Sequence, residues 1–68
     1  MTPLERLRRN ANLTQLQLEE MSGVSQTTIS AIENGRMNPT AGTLRKLSKA
    51  LGVTIEKIIG DSEGVKDV

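Results

Sequence analysis

Gly23 stands between two stretches that each carry the punctuation of a short helix, and this arrangement constrains the chain more than any other part of it. Before it, Thr14-Gln15-Leu16-Gln17 offers an N-cap hydroxyl and a Gln three residues later, the pattern in which two orphan amides of a helix start are bonded reciprocally. The helix that follows carries Leu16, Leu18 and Met21 and is expected to stop at Gly23, a residue type that tolerates a left-handed turn. Val24 then leads to Ser25, a second N-cap. The next helix has Ile29 and Ile32 three residues apart on one face, and Asn34-Gly35 ends it. Gly23 falls eight residues after Gln15, and the two isoleucines lie six and nine residues beyond the glycine. Such spacing turns the second helix steeply across the first while both isoleucines stay in the core.

The same punctuation recurs along the chain. Thr2-Pro3-Leu4-Glu5 supplies a cap, a proline at the first helical position and an acidic third residue. A first helix to about residue 10 follows, with Leu4 and Leu7 inward. Pro39 excludes a continuous helix after residue 35, and Thr40 caps a fresh one over about residues 41–51, with Leu44, Leu47 and Leu51 on one side and Gly52 closing it. Thr54 caps a last short helix, residues 55–59, ended by Gly60. Neither a strand-period segment nor an internal repeat competes. The expectation is an all-α, compact bundle of about five short helices, with residues 1–60 as one domain. Residues 61–68 lack periodic apolar residues and are expected to fray as an acidic tail.

Composition narrows the function. A chain of 68 residues holds one domain, and a domain of that size buries only about 60% of its unfolded surface. Cys, His and aromatic residues are absent, so disulfides and a Cys/His zinc site are excluded. Glu19 and Glu20 are adjacent and project about 100° apart on a helix, so they do not converge on a substrate. With no Gly-rich phosphate loop either, neither catalysis nor a metal or cofactor is expected. No apolar run reaches the roughly 20 residues of a membrane span, and no signal-peptide core opens the chain, so a cytoplasmic protein is expected. Met1 and the short tail argue mildly for a complete chain, against the alternative of an excised domain of a longer protein. The net charge is +1, but Asp61, Glu63 and Asp67 outweigh Lys66 by two, so residues 1–59 hold +3. A mildly basic body is permissive for nucleic-acid binding without being diagnostic of it.

The face opposite Ile29 and Ile32 is more telling. It carries Gln26, Thr27, Ser30 and Ala31. A solvated helix would favour Glu, Lys and Arg there. Uncharged hydrogen-bonding groups and a methyl suit a base-pair edge in the major groove of duplex DNA. The plainer alternative for residues 13–35 is an ordinary helical hairpin in a small bundle.

Five elements together, Leu13-Thr14-Gln15, Gly23-Val24-Ser25, Thr28-Ile29-Ser30, Ile32-Glu33-Asn34-Gly35 and Asn38-Pro39, resemble the helix-turn-helix of the phage repressor and Cro family. The likeness continues from Leu44 through Val53 and the last helix, covering roughly residues 3–60, and implies a lambda-repressor-like DNA-binding domain. On that resemblance Gln26, Thr27, Ser30 and Ala31 reach base edges. Gln26 has the chemistry to bond bidentately to adenine, Thr27 and Ser30 donate or accept, and Ala31 offers a methyl to thymine. No Lys or Arg points from this face, so the directly read bases are expected to lean towards A·T pairs.

The resemblance further makes Gln15 a phosphate contact that also braces Gln26. Asn34, Arg36 and Asn38 are phosphate candidates, with Thr40, Thr43 and the first amides of the fourth helix beside them. Arg8 and Glu33 match a family pair that forms a partly buried salt bridge. Glu19 departs from the family, which commonly has Ala there, and must tilt outward or find a partner.

The implied function is sequence-specific double-stranded DNA binding by a transcriptional regulator, a repressor in the first instance, at a near-palindromic operator. A homodimer through the last helix (Ile55, Glu56, Lys57, Ile58) is expected, with Ile55 and Ile58 or Ile59 forming an exposed apolar patch. No membrane partner and no small-molecule ligand are expected, since the chain has no room for a sensing domain. The rival reading is a protein-interaction module of the same fold, such as an antitoxin or accessory regulator acting through a protein partner. Steep salt dependence separates phosphate binding from a protein-only contact.

Overall fold

A computed structural model describes residues 2–60; the acidic tail expected at residues 61–68 lies outside the described residues. The elements are α1 (Pro3–Asn10), α2 (Gln15–Ser22), α3 (Gln26–Glu33), α4 (Ala41–Leu51) and α5 (Ile55–Ile59), all helical. Every start is set by a hydroxyl: Thr2, Thr14, Ser25, Thr40 and Thr54 each accept the amide three residues on. At α2 the capping box is complete, with Thr14 N–H donating to Gln17 Oε1 at 2.8 Å and Gln17 N–H donating to Thr14 Oγ1 at 3.0 Å.

The helix ends are equally local. Gly23 is left-handed at φ 80°, and its amide closes α2 on the Glu19 carbonyl at 2.8 Å. After α1 the left-handed position is taken by Asn12 at φ 61°. The Asn12 amide donates to Arg9 O and the Leu13 amide to Arg8 O, a Schellman closure in which Asn replaces the usual glycine.

The core comprises Leu4, Leu18, Val24, Ile29, Ile32, Leu47 and Ile58, with Leu7, Leu13, Leu44, Ala50, Leu51 and Val53 packed around it. All five helices contribute to it, and α3 is held from two sides, by α1 and by α2. The α2 helix is less apolar inside than its composition suggests. Of the three apolar residues of α2 only Leu18 is buried; Leu16 and Met21 are about half exposed (50% and 55%). The half-buried positions of α2 are Gln15, Glu19 and Ser22, which share one side of the helix with Leu18 at spacings of three and four. The inward stripe of this helix is therefore largely polar.

One expectation needs correcting, and it concerns the pairing face of α5. Ile58 is only 5% exposed and belongs to the core, so it is not free to pair with another chain. Thr54 sets the start of the helix, and a 100° step per residue then turns Ile58 inward and Ile59 outward, where it is 51% exposed. Ile55 is half-buried, and Glu56 and Lys57 are exposed.

Candidate nucleic-acid interface

With Ile29 and Ile32 in the core, α3 presents Gln26 and Thr27 fully outward and Ser30 and Ala31 half-buried beside them. These four line one concave surface together with Gln15, from the start of α2, and Arg36, from the loop after α3. The lining contains no carboxylate, and Arg36 is its one cation. A surface of amides, hydroxyls and a methyl next to a guanidinium is suited to neutral hydrogen-bond readout with an anion at its edge.

Arg36 owes its place to the end of α3. Gly35, at φ 75°, donates its amide to Ile32 O at 3.1 Å, and the Arg36 amide donates to Ala31 O at 2.9 Å. This double closure starts the loop at a fixed angle, one residue beyond the glycine. Asn34, the C-cap of α3, donates from Nδ2 to Ser30 Oγ at a long 3.4 Å, which leaves the Ser30 hydroxyl proton free to donate elsewhere.

Gln15 lies where the sequence puts it, on the same concave surface as Gln26, but its amide nitrogen is bonded elsewhere. Nε2 donates to Glu33 Oε1 at 3.0 Å, so the expected brace between the two glutamines is replaced by a link to the buried ion pair. In that pair Arg8 Nε donates to Glu33 Oε2 at 2.7 Å and Nη2 to Oε1 at 3.0 Å, while Nη1 donates to the Leu13 carbonyl at 2.8 Å. The two side chains are 10% and 3% exposed. The hydrogen bond to Glu33 outweighs desolvation and raises the Arg8 pKa above its ordinary, already strongly basic value. One network thus joins α1, the turn before α2, the start of α2 and the end of α3.

The remaining candidates lie apart. Asn38 is exposed but borders a different, mainly apolar depression, with Pro3, Met37, Pro39 and Ile59. Thr40 and Thr43 sit together at the start of α4. The Thr40 hydroxyl donates to Thr43 Oγ1 at 3.1 Å and accepts the Thr43 amide at 3.2 Å, so the proton free to point outward is that of Thr43.

Glu19 is the residue whose part the sequence left open. Its Oε1 accepts the backbone amide of Gln26, the first residue of α3, at 2.9 Å. The available signal was the departure itself, a carboxylate seven residues before a helix start and one helical turn before a glycine. Among the described residues no helix is long and apolar enough to cross a membrane.

Comparison with known proteins places this sequence among relatives. The helix-turn-helix family matches residues 4–58. An uncharacterised helix-turn-helix-type transcriptional regulator of Sinorhizobium fredii is 48% identical over 54 residues, which are 79% of this chain and 70% of the relative. The immunity repressor protein of Bacillus phage phi105 is 33% identical over 94% of this chain and 44% of its own length. A helix-turn-helix-type transcriptional activator of Enterococcus faecalis is 42% identical over 88% of this chain and 29% of its own length. The chain therefore spans less than half of two of these three relatives. No solved structure matches the chain significantly.

Proposed function

The chain belongs to the helix-turn-helix family and is a DNA-binding transcriptional regulator, and from that premise we propose that α3 enters the major groove and reads sequence there. The observation that carries this reading is the uncharged face of Gln26, Thr27, Ser30 and Ala31, brought beside Gln15 and Arg36 on one concave surface. Gln26 reads adenine through paired hydrogen bonds, Thr27 and Ser30 adjust to either partner, and Ala31 packs on a thymine methyl. Gln15 uses the second proton of Nε2 for a phosphate, while the first is held by Glu33. Arg36 and the Thr43 hydroxyl clamp the backbone on the other side, with Asn34 and Thr40 close by. Asn38, on the far side of the loop, is the weakest of these contacts.

One α3 covers too few base pairs for a stringent site. Two copies on a near-palindromic operator, with their α3 helices about 34 Å apart, supply the rest. Ile59 with the half-buried Ile55, flanked by Glu56 and Lys57, forms the pairing face we assign to α5. Action is by occupancy in the cytoplasm, where the bound dimer excludes polymerase; we read the chain as a repressor on that ground. Residues 1–60 form the DNA-binding unit.

Selection of bound sites from a random duplex pool, repeated at two salt concentrations, tests the proposal. An enriched palindrome with strongly salt-sensitive binding is the expected result, and its half-site spacing gives the dimer geometry. Weak, salt-indifferent binding without enrichment would turn the reading towards a module that acts on a protein partner.

A further inference from the structure

We propose that Glu19 is a positioning residue for base recognition, one that sets the aim of Gln26 by holding both sides of the turn between α2 and α3. The proposal rests on the reading of Gln26 as a base contact. Two bonds from this one residue bracket the turn. Its backbone carbonyl accepts the Gly23 amide at 2.8 Å and so closes α2. Its carboxylate accepts the Gln26 amide at 2.9 Å and so opens α3. The Gln26 nitrogen is bonded to the Cα that bears the recognition side chain, so a fixed amide fixes the root of that side chain. A carboxylate at a helix N-terminus is also the acceptor that the helix dipole favours, and a charge-assisted bond to a backbone amide is stronger than a neutral one.

The other candidate for this task is engaged elsewhere: Gln15 directs its amide to Glu33. The cap proper, Ser25, accepts the Thr28 amide, and so secures the first turn of α3 to its own cap without tying it to α2. Glu19 is the residue whose side chain carries the orientation of α2 across to the first residue of α3. Its hydrogen bond also occupies that first amide with a negative charge, which disfavours a phosphate at the same end. The start of α3 is left to face bases.

Glu19→Ala, Glu19→Asp, Glu19→Gln and Gln26→Ala should be compared with the parent on three duplexes: the selected operator, the operator changed at the one pair that Gln26 reads, and a random duplex. Thermal melting accompanies each. Glu19→Gln keeps an acceptor oxygen at the same reach, whereas Glu19→Asp keeps the charge and is shorter by about 1.5 Å. The expected result is that Glu19→Ala and Glu19→Asp lose on the order of 10-fold discrimination at that single pair, as Gln26→Ala does. Glu19→Gln retains it, and Glu19→Ala adds nothing when Gln26 is already Ala. Equal losses on all three duplexes, or full discrimination by Glu19→Asp, overturn the assignment. Should Glu19→Ala fail to fold, the Asp and Gln variants decide. If Gln26→Ala itself changes nothing at any single pair, it is the base-reading role of Gln26 that fails.

Discussion

Glu33 accepts three hydrogen bonds through its two carboxylate oxygens, two of them from its charge partner Arg8 and the third from Gln15, on the candidate interface. Removing Glu33 leaves a guanidinium buried with only the Leu13 carbonyl, so Glu33→Ala is expected to cost about 3–5 kcal/mol, read from the shift in urea midpoint. Replacing both partners, Arg8→Met with Glu33→Leu, should restore much of that stability because no charge is left unpaired. The same double variant frees the Gln15 amide and should still bind DNA more weakly than the parent. At the interface itself the two types of contact separate by sequence dependence. Gln26→Ala should cost roughly 1–3 kcal/mol on the best site and relax preference at one position. An equal loss on random DNA would remove Gln26 from the base-reading set. Arg36→Ala should weaken all duplexes alike and lower the salt slope by about 1, and a loss confined to one sequence would reassign it to base reading.

At the scale of the element, each helix is short and its boundaries are written into its own ends. Among the described residues no helix exceeds 11 residues, so none would persist alone, and the caps select where packing takes hold. Gly23 illustrates the difference between strain and clash. A Cβ there would meet nothing within 4 Å, yet φ is +80°. Gly23→Ala is therefore expected to cost about 1–2 kcal/mol from backbone conformation alone. A loss well above that in a melting experiment would point to a displaced turn. Gly60 combines both, with φ at +88° and an added Cβ colliding with Pro3 Cγ, so α5 and α1 meet there without room for any side chain. The helix boundaries are legible in the sequence because caps and glycine stops act within four residues.

At the scale of the fold, seven buried apolar side chains make the core among the described residues, and total stability for a chain of this length is roughly 3–10 kcal/mol. Neighbouring positions on α5 consequently have opposite meanings. Ile58→Glu should unfold the domain, because a charge would enter the core without a partner. Ile59→Glu should leave the melting temperature within a few degrees of the parent while weakening operator binding and lowering its cooperativity. Sedimentation with and without operator duplex checks the second expectation; an unchanged dimer would place the pairing face elsewhere.

The sequence by itself determined the five helices, their caps, the turn at Gly23, the two isoleucines of α3 in the core and the uncharged face opposite them. All of these follow from local backbone chemistry and from a helical period, which need no knowledge of distant residues. Only the tertiary structure decided which side of α2 turns inward, since Leu16, Leu18 and Met21 share no single face and a polar stripe, Gln15, Glu19 and Ser22, takes the inward side with Leu18. It likewise decided that Ile58 is core and Ile59 surface, because both are apolar and the choice depends on where α5 meets α1. The partners of Gln15 and Glu19 were decided at the same level. A long polar side chain reaches several neighbours, and which one it bonds depends on how the helices cross.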